Sequence, residues 1–234
     1  MTATADGATG RGPVVAVVAA AGSGERFGAP GPKAFVELAG RPMVGWSLEA
    51  FAAADSVDRV VVVAPAGSEA HVPSPRDAVV VGGATRPDSV RAGLRAAGDA
   101  EVVLVHDAAR PLVSVQLIET LVAGLRADAE LAGLIAAAPV VDTIKRAAPK
   151  VGDPRRIAGT VDRTGLWSAQ TPQAFRVAPL RRALDAGAEG TDEAMALEQA
   201  GEPVGLHLNP EPNLKVTRPA DLALAAALLA ARAA

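Results

Sequence analysis

The 234-residue sequence has no cysteine and no tyrosine, only three histidines, and an aromatic content of 3%. The missing cysteine excludes a disulfide framework, a thiol nucleophile and a thiolate zinc site, and it suits a reducing compartment. His71, His106 and His207 show no ligand spacing, and no His/Asp/Glu cluster reads as a metal cage, so no protein-ligated metal is expected. Positive charge is not in excess: 23 Lys+Arg stand against 26 Asp+Glu, a net charge of −3. That balance gives no global basic field for nucleic acid, so any anionic ligand must be met by a local cluster of cations. Nor is there a run of about eighteen apolar residues of the kind that spans a membrane. The opening MTATADGATGRGP is too polar for a secretory leader. Residues 1–12 therefore read as a disordered tail before a cytoplasmic domain covering 13–234.

What the chain has in abundance is small and branched aliphatic residues, with half of it hydrophobic. Short β-branched runs predict strands at 14–19, 58–63, 78–81, 101–105, 134–138 and 204–208. Helical patterns fall between and after them, near 42–53, 89–97, 114–127, 177–186, 192–200 and from Pro219 onward. This alternation predicts an α/β class: a single-domain, Rossmann-like three-layer fold with a mostly parallel sheet. The rhythm breaks after Pro139. Residues 139–163 hold two stretches of β character around a Pro/Gly-bearing turn, which reads as a protruding β-arm. An isolated hairpin is marginal in water, so the arm is expected to pack on a second subunit and make a homodimer.

The stretch 19–35, AAAGSGERFGAPGPKAF, leaves the first strand with Gly22, Gly24, Gly28 and Gly31. Glycines after a first strand let backbone N–H groups approach a phosphate closely. The dinucleotide fingerprint is excluded, because position 27 is Phe and Pro30 and Pro32 forbid a continuing helix. The P-loop is excluded as well, since Lys33 follows Pro and precedes Ala. What remains is a loop with backbone donors and two cations, Arg26 and Lys33, spaced to straddle a triphosphate. Spacing alone leaves Lys33 as either a phosphate ligand or an ordinary solvated lysine.

Taken whole, the A-A-A-G-x-G-x-R…P-K-A-F pattern resembles the signature of sugar-phosphate nucleotidylyltransferases. Further blocks are similar to one branch, the 2-C-methyl-D-erythritol 4-phosphate cytidylyltransferases. They are GGATRPDSVRAGL at 82–94, VHDAARPLV at 105–113, APVVDTIKR at 138–146, TVDRTGLWSAQTPQAF at 160–175, TDEAMALE at 191–198 and NLKVTRPADL at 213–222. The resemblance covers nearly the whole chain after Pro13, and its HDAARP, TPQAF and KVTRP blocks are more specific than any glycine pattern.

The resemblance implies attack by a phosphate oxygen of a polyol phosphate on the α-phosphorus of CTP, with pyrophosphate leaving and Mg²⁺ carried mainly by the CTP phosphates. Such chemistry needs in-line positioning and cations more than proton transfer. By resemblance Arg26, Lys33 and Lys215 are the catalytic cations. The backbone of Ala20, Ala21, Gly22, Ser23 and Gly24 cradles the nucleotide, and Gly82, Gly83 and Ser89 wall the cytosine. The chain departs at Ala84, where several relatives carry an acidic residue. Asp107 reads from its strand-end place as an orienting, metal-assisting or capping residue, and the resemblance selects the substrate hydroxyl. Thr143, Arg163 and Thr191 are implied as contacts of the substrate phosphate, Arg163 across the dimer; in a monomer Arg163 reads instead as an arm-surface ion pair. Arg110 is expected to brace the HDAARP turn, His106 to be packed and hydrogen-bonded, and Arg218 to be structural. Thr171 and Asp192 read as turn or helix-cap residues.

Two rivals stand beside this reading. One is a cytidylyltransferase for another polyol phosphate such as ribitol 5-phosphate, which shares the loop and the HDAARP block. The other is a nucleotide sensor without turnover, which has no chemical need for cations flanking the α-phosphate.

Overall fold

The computed structural model describes residues 11–22, 27, 31–149, 154–188 and 190–232. Among the described residues seven strands form the central sheet: β1 (Val14–Ala19), β4 (Arg59–Ala64), β5 (Ala78–Val81), β6 (Val102–Asp107), β7 (Gly133–Pro139), β10 (Trp167–Arg176) and β11 (Val204–Leu208). Their order across the sheet is β11-β7-β10-β6-β1-β4-β5. Pairing is parallel everywhere except at β10, which runs antiparallel to both β6 and β7.

The valine runs explain the layering. In a strand successive side chains face opposite ways, so a sheet buried on both sides needs apolar residues at every position. Val14, Ala16 and Val18 pack with Leu48 and Phe51 of α1 (Met43–Ala52) and Ile118, Leu121 and Leu125 of α3 (Val115–Ala127). Val15 and Val17 face Val90 and Leu94 of α2 (Arg86–Ala96), Leu180 and Leu184 of α4 (Val177–Asp185), and Leu197 of α5 (Glu193–Gln199). Helices thus cover both faces, which is the expected three-layer arrangement. A third cluster gathers Phe27, Leu38, Met43, Leu112 and Val216 beneath Ala225 and Leu229 of α6 (Ala220–Arg232). Leu38 belongs to a short hairpin of β2 (Glu37–Leu38) and β3 (Arg41–Pro42) that the sequence reading did not include.

The helices start where cap chemistry directs. Thr85, Ser114 and Asp192 accept from the backbone N–H groups of Asp88, Leu117 and Met195 to open α2, α3 and α5. Asp221 accepts from the N–H groups of Thr217 and Arg218 at the head of α6.

The expected β character within 139–163 appears as a separate two-stranded antiparallel sheet of β8 (Ile144–Ala147) and β9 (Ile157–Val161), joined to the core where Trp167 pairs with Pro139. The main correction is β10. No strand was expected at 167–176, yet a ten-residue strand there occupies the middle of the sheet. Proline in a central strand normally argues against one, because it cannot donate to the ladder. Here the ladder to β7 shifts register between Ala169 and Gln173, and Pro172 sits inside that irregularity. The same strand corrects the reading of Thr171, which is buried within the sheet and caps no turn.

Candidate functional site

At the carboxyl ends of β1 and β6 a cavity of about 530 Å³ opens, bounded by residues 19–22, the 83–86 turn, residues 107–109, Lys33 and Lys215. Ligands of open α/β sheets bind at this end of the strands. Four segments distant in sequence build the site.

The first is the turn leaving β1. The Ala20 N–H donates to Val63 O at 2.8 Å, and the Ala108 N–H to Ala19 O at 3.1 Å, so residues 20–22 leave from between the ends of two neighbouring strands. Ser23, Gly24 and Arg26 lie outside the described residues, as does most of the expected tail.

The second is the GGATR turn. Ser89 Oγ donates to Thr85 O at 3.0 Å and accepts from the Gly83 N–H at 3.2 Å, which folds the turn over the start of α2. Glycine is required here for space. A Cβ on Gly82 would fall 2.5 Å from Ala21 Cβ, and one on Gly83 would fall 2.3 Å from Asp88 Cβ. Gly83 and Ser89 line the cavity, while Gly82, which does not, packs against Ala21 of the turn leaving β1.

The third is the end of β6. Asp107 Oδ2 accepts from Lys215 Nζ at 2.6 Å, and its Oδ1 lies 3.6 Å from Arg86 Nη2. Burial alone would raise the Asp107 pKa, but the charges of Lys215 and Arg86 outweigh it and hold the carboxyl at about 2. Behind it His106 is fully buried and its pKa falls to about 3, chiefly by desolvation. It is packed and hydrogen-bonded as expected, between Ser47 Oγ and Thr171 Oγ1, each at 3.1 Å. Thr171 Oγ1 also accepts from the Asp107 N–H at 3.0 Å. On the other side of the ring, the Ser47 hydroxyl donates to Arg110 O at 3.5 Å. This chain of hydrogen bonds ties the buried ring to the backbone on which Asp107 stands.

The fourth segment is 213–217. Arg110 Nη1 donates to Asn213 O at 2.8 Å, and the Val216 N–H to Ala109 O at 2.8 Å. Arg110 therefore braces the HDAARP turn against this segment and helps deliver Lys215. Lys33 joins from the other side, where its Nζ donates to Val216 O at 2.7 Å. The 213–217 segment thus carries one of the two lysines and anchors the other.

Within one chain the structure does not bring every expected contact to this cavity. Thr143 and Arg163 lie exposed on the arm, and Thr191 is exposed just ahead of the α5 cap; none of the three lines the cavity. Conversely, sequence reasoning missed Arg86 and Glu193. Arg86 makes a bidentate pair with Glu193, Nη1 to Oε1 at 2.7 Å and Nη2 to Oε2 at 3.0 Å. Glu193 is 3% exposed, and its burial raises its pKa despite the guanidinium. A signal was present: a cation in the first turn of a helix opposes the macrodipole, so Arg86 at the head of α2 needed a tertiary reason.

The cations of this site face a cavity whose lining, among the described residues, includes a single carboxylate, an arrangement for holding a polyphosphate. Known proteins share both the chain and its shape. The chain is 46% identical over 228 residues to 2-C-methyl-D-erythritol 4-phosphate cytidylyltransferase of Dechloromonas aromatica (strain RCB), covering 93% of this chain and 97% of that protein. It is equally identical over 228 residues to the enzyme of the same name from Nocardia farcinica (strain IFM 10152), covering 95% and 96%. The crystal structure of the Thermus thermophilus cytidylyltransferase superposes with a TM-score of 0.75 at 34% identity, covering 93% of this chain and 98% of that one. The family model described as 2-C-methyl-D-erythritol 4-phosphate cytidylyltransferase matches residues 14–231, which include every strand of the central sheet and the four segments of the cavity. The chain therefore belongs to the 2-C-methyl-D-erythritol 4-phosphate cytidylyltransferase family.

Proposed function

We propose that this enzyme transfers the cytidylyl group of CTP to 2-C-methyl-D-erythritol 4-phosphate, in the non-mevalonate route to isoprenoids. The products are 4-diphosphocytidyl-2-C-methyl-D-erythritol and pyrophosphate. Family membership carries the substrates. The observation that best supports the chemistry is the convergence of Lys33 and Lys215 on the 213–217 segment at the mouth of the nucleotide cavity.

In this reading a phosphate oxygen of the alcohol phosphate attacks the α-phosphorus, a new P–O bond forms, and the bond to the β-phosphate oxygen breaks. The electron pair leaves with pyrophosphate, and no side chain has to remove a proton because the nucleophile is already an anion. Negative charge spreads over the α-phosphate oxygens and the leaving group, so fixed cations lower the barrier. Lys215 stabilises the α-phosphate, while Lys33 stabilises the leaving pyrophosphate with Arg26. Residues 20–22 and the Gly83 turn seat the nucleotide. Asp107, held as a carboxylate, offers an acceptor to a hydroxyl of the alcohol and keeps Lys215 aimed until the phosphates compete for it.

Mg²⁺ suits this site as a passenger of the triphosphate. Among the described residues no three His, Cys, Asp or Glu side chains gather as a cage. The carboxylate lining the cavity, Asp107, is engaged by Lys215 and faces Arg86. When bound, the ion would neutralise phosphate charge. No helix among the described residues is long and apolar enough to cross a membrane, and the cysteine-free composition supports a cytoplasmic location. We assign the arm to a homodimer contact, supported by exposed apolar residues on or beside it: Val141 (78%), Ile157 (66%), Leu166 and Trp167. Across that contact Arg163 and Thr143 would complete the partner's alcohol-phosphate site, with Thr191.

Lys33→Ala tests the chemistry. Loss of one transition-state cation costs about a hundredfold or more in turnover, read as pyrophosphate release, with the far-UV spectrum unchanged. Pyrophosphate release at the normal rate would remove Lys33 from the mechanism.

A further inference from the structure

The pair Arg86–Glu193 joins two helix starts that are 107 residues apart in the chain. Arg86 opens α2 at the end of the turn that walls the nucleotide cavity, and Glu193 opens α5 directly after Thr191 and Asp192. Asp192 is itself fixed, capping α5 through Oδ1 and accepting from Gln173 Nε2 at 2.9 Å through Oδ2. The Arg86 guanidinium also lies 3.6 Å from Asp107. One guanidinium, carried by the turn that walls the cavity, therefore meets both the β6 carboxylate and the segment that starts α5.

Glu193 is buried and Arg86 partly so, and desolvating such charges offsets much of their attraction, which makes the pair a poor stabiliser. An arginine in the first turn of a helix is unfavourable against the macrodipole as well. Its bidentate geometry, however, fixes orientation in a way that a single hydrogen bond does not. A contact that is costly as a stabiliser but rigid in geometry has the form of a positioning device.

We propose that Arg86 and Glu193 are positioning residues that couple the nucleotide and alcohol-phosphate subsites, so that filling either one tightens the other. The proposal rests on the assignment of Thr191 to the alcohol phosphate made above. A nucleotide that orders the 82–86 turn fixes the guanidinium, the guanidinium fixes Glu193, and Glu193 sets the register of residues 191–192. By linkage the effect is reciprocal.

The test is calorimetric titration of α,β-methylene CTP, a non-transferable analogue, with and without saturating 2-C-methyl-D-erythritol 4-phosphate and Mg²⁺. In the wild-type enzyme the alcohol phosphate should tighten the analogue by about fivefold or more. In Glu193→Gln, and independently in Arg86→Lys, that ratio should fall to about 1, whatever happens to each separate affinity. The double variant should be no less coupled than either single one. Arg86→Lys keeps the charge but loses the fork, so it stays informative if Glu193→Gln does not fold. An unchanged ratio in a folded variant, or no coupling in the wild type, overturns the proposal; a purely structural pair would lower the melting temperature and leave the ratio alone. Failure of the alcohol phosphate to bind at all, with CTP analogue binding intact, would instead overturn the assigned substrate.

Discussion

His106 is an instance where one residue's chemistry sets a property of the whole molecule. Its pKa lies at about 3 when folded, against an ordinary value of 6.5. Between those values the unfolded chain binds a proton that the folded one does not, so stability is fully present above about pH 6.5 and drains away as pH falls toward 3. The slope from this one group is up to about 1.4 kcal/mol per pH unit. Denaturant midpoints measured from pH 7 to pH 4 should fall accordingly, and His106→Gln, which keeps hydrogen-bonding capacity without titrating there, should flatten the slope. An identical slope in the variant would contradict the neutral, buried ring. Asp107 titrates lower still, between its ordinary 3.8 and about 2, so its ion pair weakens only in that more acidic window. At this scale the sequence was legible where a residue sat in a specific block: Lys33, Asp107 and Lys215 all meet at the cavity. Arg86 does not stand out in the sequence because GGATR reads equally well as a capped turn, and Glu193 does not because a glutamate early in a helix is ordinary. Their partnership is tertiary, and its one local sign is the cation set against the dipole at the head of α2.

Elements were legible in proportion to how far their own composition dictates them. Strands β5 and β11 fall at their expected residues because valine and leucine runs between turn residues admit little else. Strand β10 did not, because WSAQTPQAFR is rich in polar residues and carries a proline. Its strand state comes from hydrogen-bonding neighbours on both sides, β6 and β7, which local propensity does not report. The GGATR turn shows the same dependence on context, since Gly82 is needed only because Ala21 and Ser89 stand so close. Gly82→Ala would push a methyl to 2.5 Å from Ala21 Cβ and 2.8 Å from Ser89 Oγ. Overpacking of this kind costs about 1–3 kcal/mol, and here the displacement falls on the turn proposed to seat the nucleotide. The expected outcome is a raised KM for CTP that exceeds any change in KM for the alcohol phosphate, measured by steady-state pyrophosphate release. Equal changes in both, or none, would show that this wall does not seat the nucleotide.

The whole molecule is a two-faced sheet with its cavity at one end and an arm carrying exposed apolar residues. If the arm joins two copies, and Arg163 acts on the partner's site, the defects of two inactive variants can be separated. Mixing Arg163→Ala with Lys33→Ala chains through a refolding step should restore about a quarter of the wild-type sites, since half the dimers are mixed and each mixed dimer keeps one intact site. No recovery in mixed dimers of confirmed mass would place Arg163 on its own chain's site. The net charge of −3 fits this design, because the cations are few and placed by the fold.

The central claim is the identity of the cytidylyl acceptor. The most direct measurement offers the purified enzyme CTP, Mg²⁺ and equal amounts of 2-C-methyl-D-erythritol 4-phosphate and ribitol 5-phosphate, and follows both products by mass. 4-Diphosphocytidyl-2-C-methyl-D-erythritol is expected to form with stoichiometric pyrophosphate while ribitol phosphate is left largely unconsumed. Faster consumption of ribitol phosphate would contradict it.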